Sequence, residues 1–260
     1  MFRRIGAVSY LNTKPLIYGL QGLLPDCSLD FDLPSRLADR LAQRQLDIAL
    51  IPSVEYLRSP ETHLVSNACI ACRGPVRSVR VLFRKRPEQV RSLALDEGSR
   101  TSAVLAQVLL KKQFDRSPEL VPWNIDAEIN DVETDAILVI GDRAMSIDTR
   151  PFVDHWDLGE RWLSLTGLPF VFAMWVSNSP DEPSQVVDAL QSARDLGVAH
   201  ADELAQSVCG EYGLSHSDCV NYFREQLYFY LGPRELDGLR LFEKLAASYN
   251  LLSVETSNYS

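Results

Sequence analysis

The sequence predicts an α/β protein built as two lobes with a ligand crevice between them. Three observations carry that prediction. Strand-like apolar runs alternate with helix-periodic segments from Arg3 to Phe114. A long apolar run, "LPFVFAMWVSN", then returns after the middle third as one more strand. Beyond Pro180 only helical periodicity follows. A chain that starts one lobe, builds a second and returns to the first is expected to divide into residues 1–85 plus 175–260 and residues 86–174. The expected crossings lie near Arg84–Pro87 and Phe172–Ser177.

In chain order, "RRIGAVSYL" reads as a buried strand, and Pro15 suits the first turn of a following helix. "SRLADRLAQRQ" places Leu37, Ala38, Leu41 and Ala42 at helical spacing behind Ser35, a good N-cap. "LDIALIP" is a short buried strand, and Pro52 opens a helix through "SVEYL". This spacing predicts βαβ units and a largely parallel sheet. "VRSVRVLFRK" alternates as a strand with one wet side, and "SLALDEGSRTSAVLAQVLLKKQF" repeats strand, loop and helix. "DAILVIGDRAM" is a buried strand ending in a polar loop. The tail divides into three helical segments, "PSQVVDALQSARDLGVAHADELAQSV", "SHSDCVNYFREQLYFYL" and "RELDGLRLFEKLAASYN".

At 260 residues the chain can bury a large core, and its 46% hydrophobic and 23% charged content is that of a globular protein. A formal net charge of −9 argues against nucleic acid or an anionic membrane as partner. No apolar run approaches bilayer length, and the two arginines near the start precede no apolar h-region, so a cytoplasmic location is expected. Five cysteines are an odd number, against a closed disulfide framework. Cys69 and Cys72 form a CxxC with no second pair to complete a zinc site, and read as small apolar strand residues. His63, His155, His200 and His216 are scattered, His200 and His216 on the helical tail and expected at the surface. GxSxG, P-loop, GxGxxG and HExxH motifs are missing, so neither metal nor cofactor is expected.

Three strand-to-helix corners are unusually polar: Ser9-Tyr10-Leu11-Asn12-Thr13, Pro52-Ser53-Val54-Glu55 and Asp96-Glu97-Gly98-Ser99-Arg100-Thr101-Ser102. Helix N-termini carry partial positive charge and free N–H groups, which suit carboxylates or phosphates. Capping alone would favour such residues, but a cap needs one, and the first and third corners each supply several. Three such corners facing one crevice point to a small anionic ligand. Lys14, Arg100 and Arg143 are the nearest positive charges, while Tyr10 and Trp175 could wall a ring.

"IGAVSYLNTKPLIYGL", "DIALIPSVEYL", "GPVRSVRVLF", "LALDEGSRTSAVLAQVLL", "DAILVIGDRAM" and "LGERWLSLTGLPFVFAMW" together resemble the chorismate dehydratases of the futalosine route to menaquinone. The likeness covers most of residues 3–178, and the tail fits only in general character. The resemblance implies a type II periplasmic-binding-protein fold and a cofactor-free carbon–oxygen hydro-lyase. That enzyme would turn chorismate, a dicarboxylate, into 3-[(1-carboxyvinyl)oxy]benzoate. It implies catalytic roles for Asn12 and Ser78; the polar corners and the nearby charge add Ser9, Tyr10, Thr13, Ser53, Ser99, Thr101, Ser102 and Arg143 as expected substrate-binding residues. An amide is no base, so Asn12 would orient substrate or stabilise charge. The proton acceptor stays open between Glu55, Asp96 and the substrate's own enolpyruvyl carboxylate. Two rivals share the architecture: a non-catalytic small-anion binding protein, and the sister enzyme that makes dihydroxynaphthoate, for which a site histidine is expected.

Overall fold

The computed structural model describes residues 2–124 and 127–253. Its strands are β1 (Arg3–Val8), β2 (Cys27–Asp32), β3 (Ile48–Pro52), β4 (His63–Cys72), β5 (Val79–Phe83), β6 (Ser92–Asp96), β7 (Glu119–Trp123), β8 (Ala136–Ile140), β9 (Asp154–Asp157), β10 (Phe170–Ser177) and β11 (Tyr228–Tyr230). They form two sheets, one of six strands in the order β11-β4-β10-β3-β1-β2 and one of five in the order β7-β6-β8-β5-β9.

Both sheets are mixed, against the largely parallel sheet expected. β1 pairs in parallel with β2 and β3, and β6 with β7 and β8. β10 instead runs antiparallel between β3 and β4, and β5 runs antiparallel between β8 and β9. β5 and β10 are the first strands laid down after each change of sheet, and each lies antiparallel to both of its neighbours.

The boundaries also differ from those expected at residues 85/86 and 174/175. β5 already belongs to the five-stranded sheet, and all of β10 to the six-stranded one. The chain therefore changes sheets over residues 73–78 and again over 158–169. Alternation in "VRSVRVLF" shows that a strand exists but not which sheet receives it.

Strands with both faces covered are apolar throughout. β3, β8 and β10 are buried along their whole lengths. Cys69 and Cys72 of β4 are both buried as free thiols. β2, β7, β9 and β11 were not expected; each is an edge strand of mixed polarity, and β7 tolerates Pro122 because its outer side needs no partner. The helix Thr101–Phe114 is apolar nearly all round, and it packs against the Leu158–Thr166 and Pro233–Ser248 helices. One apolar core runs across both sheets, and a smaller one around Leu82, Trp123 and Val139 covers the outer face of the second sheet.

The tail holds one departure that matters for the site. "SHSDCVNYFREQLYFYL" is not a single helix: an α-helix over His216–Asn221 gives way to a π-turn over Tyr222–Gln226 and then to β11.

Candidate active site

A cleft with about 520 Å³ of empty space, open on one side, lies where the two sheets meet. Its polar lining comes from Tyr10, Asn12, Ser78, Ser99, Arg100, Thr101 and Ser102; its apolar lining includes Val8, Ile70, Val79, Ile140 and Phe172. The first corner, the third corner and Ser78 are thus brought to one hollow. Pro34, Gly141 and the apolar wall were not foreseen, since such residues read as ordinary core.

The first corner follows β1 into a short 3₁₀ helix over Leu11–Ile17. Asn12 lines the cleft, and its Oδ1 accepts the Thr13 hydroxyl at 3.2 Å. Ser9 is exposed and Thr13 buried, and neither lines the cleft. The corner is moored to the other sheet, because Leu11 N–H donates to the Asp142 carboxylate at 3.1 Å. Burial pushes that carboxyl up to about 6, opposed by the Leu11 N–H and by Lys14.

Tyr10 reaches across onto Gly98 and Gly141. A methyl at Gly98 would stand 3.1 Å from Tyr10 Oη, and one at Gly141, where φ is +71°, 2.8 Å from its ring. The Tyr10 hydroxyl is buried without a hydrogen-bond partner among the described residues. Burial, with the nearby Asp96 charge second, holds it far above the usual phenol range, so it stays neutral.

The third corner opens the Thr101–Phe114 helix. Its Ncap side chain, Arg100, makes no capping bond, which leaves the first-turn N–H groups without that partner. Ser99 Oγ is likewise buried and unpartnered among the described residues. Thr101 Oγ accepts Val54 N–H at 3.2 Å and so ties the second corner to the third. Arg100 faces the cleft but is shared with Asp39 at 2.8 Å and Glu55 at 3.4 Å.

Several expected site residues are engaged elsewhere. Ser53 is buried and donates to Val171 O at 2.7 Å, outside the cleft lining. Asp96 is enclosed beneath its loop, where it accepts from Gly98 N–H at 3.1 Å and from the Arg143 guanidinium at 2.5 Å. Arg143 itself lies over the Trp123 ring, 4.2 Å from its centre. Glu55 is held between Arg58 at 2.9 Å and Arg100. Asp96, Glu55 and Arg143 are not among the residues lining the cleft, and each takes part in an ion pair. Trp175 is fully buried in β10 and does not wall the cleft, and Lys14 lies over the Tyr212 ring at 5.8 Å.

Ser78 sits at the crossing into β5. Its carbonyl accepts Gly141 N–H at 2.9 Å, and its hydroxyl oxygen accepts the buried Tyr222 hydroxyl at 2.8 Å. Among the described residues no Asp, Glu, His or Lys lines the cleft. The site therefore offers hydroxyls, an amide, peptide N–H groups and a partly neutralised arginine against an apolar wall. Such a site can bind and orient an anion, and it has no carboxylate or imidazole of its own to take a proton.

A family model described as menaquinone biosynthesis matches residues 3–248. A chorismate dehydratase of Thermus thermophilus is 26% identical over 256 residues, covering 92% of this chain and 93% of that protein. One of Campylobacter jejuni is 27% identical over 252 residues, covering 95% and 98%. Among solved structures, a protein from Archaeoglobus fulgidus superposes with a TM-score of 0.75 at 14% identity, covering 96% of this chain and 98% of that one. A Candida albicans gene product described as having the generic periplasmic-binding-protein fold gives 0.62 at 14% identity, covering 99% and 92%. The fold is periplasmic-binding-protein-like, and the chain belongs to the menaquinone-biosynthesis family whose model spans it nearly end to end.

Proposed function

We propose that the protein is a carbon–oxygen hydro-lyase that dehydrates chorismate to 3-[(1-carboxyvinyl)oxy]benzoate. The observation that carries this reading is a cleft rich in donors for a dianion and, among the described residues, without a carboxylate or imidazole in its lining. The names of the two relatives support the substrate. In this reading the hydro-lyase acts as an unassisted chain, without metal or organic cofactor, in the cytoplasm.

The chemistry fits what the residues can do. The ring carbon bearing the enolpyruvyl ether gives up its hydrogen, and the neighbouring carbon gives up its hydroxyl; one water leaves and the ring becomes aromatic. Aromatisation supplies the driving force, which leaves orientation and one proton transfer to the site. Ser99 and the first-turn N–H groups of the Thr101–Phe114 helix would hold one carboxylate. Ser78 would donate to the other, and Asn12 would stabilise charge at the ring or the departing hydroxyl. The enolpyruvyl carboxylate, one ether link from the ring hydrogen, would be the proton acceptor. No histidine among the described residues lines the cleft, which sets this reading apart from the sister dihydroxynaphthoate-forming enzyme.

The test is to incubate the purified protein with chorismate and follow the aromatic ether by absorbance and mass. Conversion with loss of one water is expected. Chorismate recovered unchanged beside a protein that binds it would establish the small-anion binding module instead.

A further inference from the structure

We infer that Tyr222 is a positioning residue for the cleft: its buried hydroxyl occupies one lone pair of Ser78 Oγ and so turns the Ser78 O–H into the cleft as a donor. The inference rests on the dehydratase reading, and names the group that gives Ser78 its polarity.

A serine hydroxyl can donate or accept, and left alone it rotates to suit its surroundings. Here its choice is narrowed. Tyr222 is fully enclosed and donates to Ser78 Oγ at 2.8 Å, and burial holds its phenol far above the usual range, so it keeps the proton it donates. With that lone pair filled, the Ser78 proton must point away from Tyr222. Ser78 is 1% exposed, and the side it has left is the cleft. A fixed donor suits a carboxylate and discriminates against a ligand group that can only donate.

The backbone around Ser78 is built to hold that geometry. Arg77, just before it, takes the left-handed conformation at φ +63°, which a side chain other than glycine rarely adopts. Asp157 secures the turn: its carboxylate accepts Val76 N–H at 3.0 Å, Arg77 N–H at 2.6 Å and Glu160 N–H at 3.1 Å. The Arg77 guanidinium in turn bonds Asp218 at 3.2 Å, on the short helix that leads into Tyr222. The π-turn that begins at Tyr222 lies at the point where the phenol meets Ser78. Such turns recur at functional sites.

A double-mutant cycle tests this: Tyr222→Phe, Ser78→Ala and both together, assayed for kcat/KM on chorismate with melting temperatures beside them. Tyr222→Phe removes one oxygen and should still fold. It is expected to lower kcat/KM by about three- to tenfold, the worth of one oriented hydrogen bond. In the Ser78→Ala background the same change should have no further effect, because Tyr222 acts only through that hydroxyl. Multiplied losses in the double variant, or full activity in Tyr222→Phe, would overturn the inference. If the wild type does not convert chorismate, the dehydratase reading has failed, and the cycle is read from calorimetric binding of 3-(carboxymethoxy)benzoate. The same coupling is then expected, and additive losses or no wild-type binding would refute it.

Discussion

Asp142 anchors the corner that carries Asn12, and its burial makes a pH-dependent prediction. The carboxylate accepts Leu11 N–H, one residue before Asn12, from the first turn of the Asp142–Ser146 helix. Burial, the largest influence, raises its carboxyl from 3.8 to about 6; Glu211 adds to the rise, while the Leu11 N–H and Lys14 oppose it. Between those two values the folded protein holds a proton on Asp142 that the unfolded chain releases. Stability therefore falls as pH rises through that window and levels off above it. The gap corresponds to a ceiling of ~3 kcal/mol. Partial solvent access at Asp142 brings the expected effect down to about 1–2 kcal/mol. Asp142→Asn keeps an oxygen to accept Leu11 N–H and cannot ionise. Urea unfolding at a series of pH values should show the variant gaining about 1–2 kcal/mol on the wild type between about pH 4 and pH 7, with the curves parallel above that. Curves that run parallel throughout, or a wild type that gains on the variant as pH rises, would refute the reasoning.

Other perturbations bear on the packing and on the base. Gly141→Ala adds a methyl against the Tyr10 ring at a φ of +71°, and should cost about 2 kcal/mol by thermal melting together with most of the turnover. Glu235 is buried, bonds Arg73 at 2.8 Å and caps its own helix through Gly232 N–H. Removing its charge with Glu235→Gln is expected to lower unfolding free energy by about 1–2 kcal/mol in urea titration, since Arg73 keeps access to water. Glu55→Gln leaves the cleft lining intact and should keep turnover within about tenfold of wild type in the chorismate assay; a loss of several orders of magnitude with ligand still bound would restore Glu55 as the base. Asn12→Ala should lower kcat by about a hundredfold with a small change in KM, the pattern for a group that acts on the transition state.

The parts of the site that were legible from sequence are those where chemistry is local. "SYLNT" and "DEGSRTS" are polar excesses at helix starts, and Asn12, Ser99, Thr101 and Ser102 all line the cleft. Residues whose partners are distant in sequence were misread. Asp96 and Arg143 lie 47 residues apart and neutralise each other, a pairing no spacing rule reveals. Ser53 looks like a ligand group until the carbonyl of Val171 claims it. The Tyr222–Ser78 bond spans 144 residues, and "YFREQLYFY" carries apolar residues at spacings that suit a helix as well as a strand. Only the tertiary pairing of β11 with β4 decides between them.

The most direct test of the central claim is a crystal structure of the Asn12→Ala variant with chorismate bound. The ring should lie against Phe172, with one carboxylate at Ser99 and the first turn of the Thr101–Phe114 helix. The enolpyruvyl carboxylate should stand within about 3.5 Å of the ring carbon that loses its hydrogen. A protein carboxylate or imidazole at that distance instead, or chorismate bound outside the cleft, would contradict the account.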